Sequence, residues 1–269
     1  MKMYCFGTGS GIAPEEGWHH TSFALEHGGD VYWFDAGENC SFTAYNMGVD
    51  LRNIKKVFIS HTHMDHVGGL GNLFWNIRKV TLRSSTKYED IELFIPQIET
   101  WNGIYEMLKH TEGNFECPFT VNAREYDEGL LYEEDGFSVS AMRNHHLNSD
   151  GDSPWRSFGF EIRENGRRYV YTGDCRGVDD MKAMLKGKTD IVFAETGHHK
   201  PETVCEALFG CENAPEKIYF IHSGAELRHN EDGIIEKLAE KYGERIKVLR
   251  DKDEIQFGIR NAEFGIDEN

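Results

Sequence analysis

Short runs of β-branched and aromatic residues recur along the chain, and most of them end in a polar or glycine-rich turn. Runs of this length and composition predict buried β-strands. The runs at residues 21–27 and 31–35 flank Gly28-Gly29-Asp30, which predicts a hairpin between two strands. Further strands are predicted at residues 57–59, 137–142, 167–172, 190–195, 217–221, 246–249 and 255–257.

A helical spacing of apolar residues separates several of these runs. It predicts amphipathic helices at residues 67–77, 97–109, 203–209 and 231–242, and a further short strand is expected near residues 80–83. There is no repeat, low-complexity tract or linker between these elements. The pattern therefore predicts a single domain over residues 1–269.

The segment richest in potential metal ligands follows the strand at residues 57–59. There Ser60 precedes His61, His63, Asp65 and His66. A single histidine in a sequence is usually structural or exposed. Four ligand-type side chains within six positions, at a turn from strand to helix, favour a different interpretation. Imidazoles and a carboxylate at this spacing suit one or two divalent metal ions.

This His-x-His-x-Asp-His motif resembles the signature of the metallo-β-lactamase fold superfamily. The resemblance implies an α+β four-layer αββα sandwich, in which two mixed β-sheets pack face to face with helices outside. Within the superfamily, the ribonuclease Z and phosphodiesterase branch is the most similar. The resemblance extends over residues 2–224 and rests on the segments at residues 7–11, 21–26, 34–38 and 65–70.

The same resemblance implies a complete set of metal ligands at later strand ends. Counted from Val139, the family's Val-x-Ala-x-x-x-x-His spacing places the third histidine at His146, and His145, which would point the other way, is the alternate. Asp35 matches an acid that orients a metal-binding imidazole. The implied first metal site is His61, His63 and His146, the second is Asp65, His66 and His222, and Asp174 bridges the two.

Two divalent metal ions imply a hydrolase that uses a metal-bound hydroxide, since coordination lowers the pKa of water from 15.7 to about 7. Zinc is the default for such ligands, while manganese or iron would also fit. Asp65 is predicted to orient the hydroxide. The branch carries a His-Glu-Ala-Thr motif whose histidine protonates the leaving oxygen, and here Ala194-Glu195-Thr196 lacks it. His198 is the predicted catalytic substitute and His199 is the alternative.

The net charge of the chain and the length of one loop narrow the range of expected substrates. The chain has 29 Lys and Arg against 46 Asp and Glu, a formal charge of −17, which disfavours long nucleic acids as partners. Only 28 positions separate His146 from Asp174, where bacterial ribonuclease Z carries a tRNA-gripping arm, although residues 84–128 could hold one. A small or nucleotide-derived phosphodiester is therefore expected, with tRNA 3′-processing less favoured. Trp18-His19-His20 and Trp155 are candidate pocket walls, although an exposed aromatic turn would explain them as well.

Two alternatives stay open at this point. The same metals could hydrolyse a carboxylic ester, a lactone or a thioester. The chain could also be a non-hydrolytic metal-binding or di-iron redox protein, although di-iron relatives prefer a glutamate in the first motif.

Composition indicates where in the cell the protein is expected. The chain is 39% hydrophobic, and no apolar run approaches the roughly 18 residues of a membrane span, so no membrane partner is expected. The six cysteines are scattered and form no Cys-x-x-Cys, and the N-terminus lacks a signal-peptide pattern, which together predict a cytoplasmic protein. A homodimer is compatible with these features.

Overall fold

The computed structural model describes residues 1–84 and 89–258. In chain order its strands are β1 (Lys2–Gly7), β2 (Ser22–His27), β3 (Asp30–Phe34), β4 (Ile54–Phe58), β5 (Ile91–Phe94), β6 (Val121–Arg124), β7 (Gly129–Glu134), β8 (Phe137–Arg143), β9 (Phe158–Glu164), β10 (Arg167–Tyr171), β11 (Ile191–Glu195), β12 (Lys217–Ile221), β13 (Ile246–Val248) and β14 (Glu254–Gln256). Its helices are α1 (Cys40–Asn46), α2 (Met64–Val67), α3 (Leu70–Thr81), α4 (Ile98–Lys109), α5 (Val178–Ala183), α6 (Pro201–Phe209), α7 (Ala225–Arg228) and α8 (Ile234–Tyr242).

The strands form two seven-stranded mixed sheets. The first has the order β14-β1-β2-β3-β4-β5-β6 and the second the order β13-β12-β11-β10-β9-β8-β7. Strands β3 to β6 are parallel, as are β10 to β13, while the remaining pairs are antiparallel. The two mixed sheets confirm the predicted fold class.

Three hydrophobic layers hold the sandwich together. The layer between the sheets is rich in aromatic rings, with Phe23, Phe34, Phe58 and Phe94 stacked in succession at centroid distances of 4.9 to 5.1 Å. One outer layer lies between the first sheet and helices α1, α3 and α4, and the other between the second sheet and helices α5, α6 and α8. Helices therefore cover the outer face of each sheet.

Between residues 60 and 128, the observed strands and helices differ most from the predicted ones. The strand expected near residues 80–83 is wrong, because α3 continues to Thr81 and packs its apolar side on the first sheet. Strands β5 and β6 were not predicted, since four-residue strands carry little pattern. Helix α1, which lies before this region, was not predicted either. Residues 89–128 supply these two strands and α4 rather than an arm, and residues 85–88 lie outside the described residues.

One edge of the sandwich gathers the loops that follow the parallel strands. The carboxyl ends of parallel strands meet at one edge of a sheet, where open α/β sheets place their ligands. Backbone hydrogen bonds join the two sheets there, from Phe158 N to Ser60 O at 3.1 Å and from Ser10 N to Ser223 O at 3.2 Å. This edge carries the candidate site. In the described part of the chain, no helix is both long and apolar enough to cross a membrane.

Candidate metal centre

The first motif lies in the loop between β4 and α2. The backbone N of Ile59 donates to Phe94 O at 2.9 Å, and the Thr62 hydroxyl donates to the side chain of Gln97 at 2.6 Å. These bonds fix the loop to β5 and to the start of α4. His63 keeps an extended backbone, and the helix that begins after it turns Asp65 and His66 toward the same side.

The remaining predicted ligands come from loops of the second sheet. His146 follows β8, Asp174 follows β10 and His222 follows β12. Side chains from both sheets thus meet at the shared edge, and all seven predicted ligands are brought together. Among the described residues, potential ligand atoms lie within 4.8 Å of one another in three groups. Two of these groups hold the predicted ligands and are called the ligand sets: His61 with His63, His146 and Asp174, and Asp65 with His66, Asp174 and His222. The third joins His222 to Glu195 and His198.

Asp174 belongs to both sets and presents one oxygen to each. Its Oδ2 lies 3.7 Å from His61 Nε2 and 3.8 Å from His146 Nε2. Its Oδ1 lies 3.4 Å from His66 Nε2 and 3.4 Å from His222 Nδ1. A carboxylate in this position can bridge two cations and offset the repulsion between them.

Asp35 makes the contact that the resemblance implies. Its Oδ2 lies 2.8 Å from His66 Nδ1 and accepts the Tyr171 hydroxyl at 2.7 Å, while its Oδ1 accepts the Ser60 backbone N at 2.7 Å. Because Asp35 holds Nδ1, the ring of His66 directs Nε2 toward Asp174. A buried carboxylate that fixes the orientation of an imidazole in this way is typical of metal sites.

The structure distinguishes His146 from its neighbour His145. His145 faces away from the ligand sets, with Nδ1 2.5 Å from Asp180 Oδ1 and Nε2 3.1 Å from Asp150 Oδ1. His146 instead places Nε2 3.2 Å from His63 Nδ1. Only His146 of this pair lies in a ligand set.

The donor atoms fit divalent metal ions. Burial holds the pKa of His61 well below its usual range, and burial together with neighbouring histidines lowers the pKa of His146 to about 4. Against the effect of burial, the charge of Asp174 raises the pKa of His66 and of His222, so a metal ion at these two would displace a proton. Neutral imidazole is the form that binds metals. Four buried donor atoms in the two sets have no hydrogen-bond partner in the described structure: His61 Nε2, His66 Nε2, Asp174 Oδ1 and His222 Nδ1. Buried polar atoms are normally satisfied, and metal ions held between these atoms would satisfy them.

His198 stands beside both ligand sets on the loop after β11. Its ring stacks on that of His222 with centroids 5.7 Å apart, and lies 5.0 Å from the ring of His146. The alternative residue, His199, is turned away, with Nε2 3.1 Å from Cys175 O. The structure therefore brings His198, and not His199, to the open side of the ligand sets.

Glu195 is a residue that the sequence analysis did not assign a role. Its fully buried carboxylate accepts the backbone N of His198 at 3.0 Å and lies 3.3 Å from His198 Nδ1. The carboxylate also accepts the Cys175 backbone N at 3.2 Å. Glu195 lies at the end of β11, just as the predicted ligands lie at the ends of other strands. That position was the feature of the sequence that could have indicated a role for it.

The structure separates the predicted pocket walls, since the two tryptophans are buried and the two histidines line a cavity. Trp18 is buried and packs under the Arg250 guanidinium, 4.1 Å from its ring centroid. Trp155 is also buried, and its indole N donates to Asn144 O at 2.9 Å. His19 and His20 both line a cavity of about 360 Å³ beside Glu38, and His19 Nδ1 lies 2.8 Å from Asp251 Oδ2.

Ribonuclease Z enzymes are among the proteins to which this chain is similar. The ribonuclease Z of Picrophilus torridus is 26% identical over 262 residues, which cover 90% of this chain and 78% of that enzyme. The ribonuclease Z of Archaeoglobus fulgidus is 27% identical over 168 residues, 62% of this chain. The chain spans about half the length of several such curated relatives, 49% for the Archaeoglobus enzyme.

Solved structures and a family model complete the comparison. The human short-form tRNase Z superposes with a TM-score of 0.72 at 20% sequence identity, covering 96% of this chain and all of that one. This likeness supports the metallo-β-lactamase fold. The model of the family described as Anti-Pycsar protein Apyc1 matches residues 1–234 of the 269. The chain therefore belongs to the Anti-Pycsar protein Apyc1 family and to the ribonuclease Z-like branch of the metallo-β-lactamase fold.

Proposed function

We propose that this protein is a dinuclear metal-dependent phosphodiesterase that acts on a small or nucleotide-derived phosphodiester. The observation that carries the proposal is the pair of ligand sets joined by Asp174, with one carboxylate oxygen facing each set. Two divalent ions in such a site, of which zinc is the first choice, supply Lewis-acid chemistry for phosphoryl transfer to water. The similarity to ribonuclease Z favours a phosphodiester over a carboxylic ester.

The chain's own residues perform the remaining tasks. Asp65 Oδ2 lies 3.0 Å from His222 Nε2, and the second carboxylate oxygen of Asp65 can accept a hydrogen bond from the attacking water. The hydrogen bond from His222 and the nearby charge of His66 hold the pKa of Asp65 below its usual range, although burial acts in the opposite direction. Asp65 therefore stays ionised, as an acceptor must.

His198 is proposed to protonate the leaving oxygen. With Nδ1 directed to Glu195, Nε2 is the nitrogen free to donate a proton outward, and the side chain keeps an exposed fraction of 42% that substrate can reach. The contact with Glu195 raises the pKa of His198 against the effect of burial, so that the protonated form persists. A positioned general acid contributes typically 10²- to 10⁴-fold to rate.

Acidic side chains near the centre favour a small substrate. Glu15, Glu16 and Glu38 line the cavity of about 360 Å³ that His20 borders. The Gly11 backbone, at the start of the same loop, packs directly on the carboxylate of Asp65. A long polyanion would meet these carboxylates, together with the overall charge of −17, whereas a single phosphodiester would mainly meet the metal ions.

The test is hydrolysis of bis(p-nitrophenyl) phosphate, 3′,5′-cyclic nucleotides and precursor tRNA by protein reconstituted separately with zinc and manganese. We expect turnover of the small diesters, loss of turnover in His63→Ala, and retention in His110→Ala, which changes an exposed histidine outside the ligand sets. A fully metallated protein that cleaves esters, lactones or thioesters but no phosphodiester would contradict the proposal.

The role of His198 has its own test. In His198→Gln the rate should fall about 10²- to 10⁴-fold for a cyclic nucleotide, whose leaving alkoxide needs a proton. It should fall far less for the nitrophenyl ester, whose leaving group departs as a stable anion. His199→Gln is the matched control and should keep both rates. Equal losses on both substrates in His198→Gln would show a structural role instead.

A further inference from the structure

Apolar side chains are exposed on both sides of Asp65, the carboxylate that is proposed to orient the attacking water. Met64, which precedes Asp65 in the chain, has an exposed fraction of 74%, and Ile12 has one of 44%. Ala13 and Pro14, which follow Ile12, are also exposed. Single apolar side chains on a surface are ordinary, whereas several of them beside a few polar groups are typical of a binding surface.

A contact between Gly11 and Asp65 brings the two exposed segments together. A Cβ atom at Gly11 would lie 2.6 Å from Asp65 Oδ2 and 2.7 Å from its Cγ, so the backbone of residue 11 rests on this carboxylate. Ile12 follows Gly11 and Met64 precedes Asp65, so each is one position away from a residue of this contact. The four exposed residues are called the apolar rim: Ile12, Ala13, Pro14 and Met64.

The apolar rim extends from the ligand sets to a neighbouring cavity. Met64 lies in the chain between His63 of the first ligand set and Asp65 of the second. At the other end of the rim, Pro14 is one of the residues that line the cavity of about 360 Å³. A substrate whose phosphate lies at the ligand sets would therefore have its organic part beside apolar side chains.

Gly68 leaves room for the side chain of Met64. Met64 is the first residue of α2, and its Cε methyl group lies 3.5 Å from the position that a Cβ atom would take at Gly68. Gly68 is itself exposed and has no side chain to cover the thioether. Methionine is flexible and polarisable, and its sulfur makes favourable contacts with aromatic rings. Met64 can therefore adapt to a flat organic group.

The geometry of the displacement indicates which substituent of the phosphodiester the rim would contact. In an in-line displacement, the attacking water and the leaving oxygen lie on opposite sides of the phosphorus atom. Asp65 is proposed to orient the water and His198 to protonate the leaving oxygen. His222 contacts both, with Nε2 3.0 Å from Asp65 Oδ2 and its ring centroid 5.7 Å from that of His198. Because the rim adjoins Asp65, it is placed for the substituent that stays on the phosphorus rather than for the leaving group.

We propose that the apolar rim binds the organic substituent that stays on the phosphorus, and that it favours an aromatic ring over a methyl group there. This inference rests on the proposed phosphodiesterase function and adds a specificity-determining surface to it. Met64 makes the main contact, because it is the more exposed of the two large side chains of the rim.

The experiment compares two diesters that share one leaving group. Cleavage of bis(p-nitrophenyl) phosphate leaves an aryl group on the phosphate, whereas cleavage of methyl p-nitrophenyl phosphate leaves a methyl group. In zinc-loaded protein, Met64→Gln should lower the ratio of kcat/KM for the aryl diester to that for the methyl diester by roughly 2- to 10-fold relative to wild type. Met64→Leu, which stays apolar, should keep most of the ratio. Met107→Gln is the matched control, because Met107 is an exposed methionine on α4, and it should leave the ratio unchanged.

Binding of phosphonates separates this inference from the proposed function. Phenylphosphonate and methylphosphonate present the same oxygens to the metal ions and differ only in the organic group. The ratio of their Kd values, measured by calorimetry, should therefore shift in Met64→Gln by a similar factor, with zinc content verified by mass spectrometry. A wild-type protein that cleaves no diester would refute the proposed function, and the phosphonate ratio would still test the rim.

Unchanged ratios in a fully metallated Met64→Gln protein would overturn the inference, as would an equal change in Met107→Gln. If Met64→Gln binds less zinc than wild type, Ile12→Gln, which alters the other large side chain of the rim, takes its place with the same expected direction.

Discussion

Replacing Asp35 by asparagine tests whether the second set of ligands depends on one buried carboxylate. Asp35 accepts hydrogen bonds from the Ser60 backbone N, the Ser60 hydroxyl and the Tyr171 hydroxyl, and contacts His66 Nδ1, all at 2.7 to 2.8 Å. An asparagine side chain has one acceptor oxygen and an amide that only donates. Whichever way the amide turns, at least one buried donor meets another donor.

The expected losses of stability and of metal affinity follow from these contacts. In the better orientation, the amide oxygen takes the place of Oδ2 and the NH₂ group faces the Ser60 N–H, which costs about 1–3 kcal/mol. The loss of a charged partner for His66 adds about 1.5–3 kcal/mol if that histidine is charged in the metal-free protein. Loss of an orienting partner lowers metal affinity by about 10- to 100-fold.

Zinc affinity is measured by competition with a chromogenic chelator, and the free energy of unfolding of metal-free protein by urea titration. Asp50→Asn is the control, because Asp50 is a partly exposed carboxylate that pairs with Arg52. It should keep zinc affinity. Tyr171→Phe, which removes one donor and leaves the carboxylate, should reduce stability by about 1 kcal/mol. An Asp35→Asn protein with wild-type zinc affinity would refute the reasoning.

Three further predictions test the surroundings of the centre. Gly11→Ala should reduce metal content, because its Cβ would lie 2.6 Å from Asp65 Oδ2, whereas Gly103→Ala, with open space around it, should bind metal normally in elemental analysis. Removal of metal by a chelator should lower the melting temperature, and zinc at 100 times its Kd should restore about 2.7 kcal/mol, as scanning calorimetry would show. The hydrogen bond with Glu38 raises the pKa of His20 above 6.5, so this stabilisation is complete below pH 6.5 and is lost as pH rises through the raised pKa. Unfolding free energies of wild type and Glu38→Gln should therefore differ most between pH 4.5 and 6.5, by less than about 1 kcal/mol, and converge at alkaline pH.

Much of the site could be predicted because its residues occupy the ends of strongly patterned strands. The run at residues 57–59 precedes His61 and its neighbours, and similar runs precede His146, Asp174 and His222. The choice of His146 over His145 followed from the spacing after Val139 that the resemblance implies. The structure brings these residues together as the resemblance implied, and their role as ligands is a proposal.

Weakly patterned elements were harder to predict. Strands β5 and β6 have four residues each, and their parallel pairing with β4 depends on partners far away in the chain. The apolar residues near residue 80 suit either a strand or a helix. They form the end of helix α3, because the apolar side of α3 packs on the first sheet. Trp18 and Trp155 illustrate the same limit, because burial of an aromatic side chain depends on neighbours that composition does not reveal.

The sequence by itself determined which strands end in candidate ligand side chains, because strand propensity acts over a few residues and the resemblance to a known motif selects among the strand ends. Only the tertiary structure decided how these ends combine. Tyr171 reaches Asp35 across 136 positions, Asp174 faces both ligand sets, and Gly11 packs on Asp65 from a separate segment. Such contacts depend on the packing of two sheets through their shared aromatic layer, a long-range property that no local pattern contains.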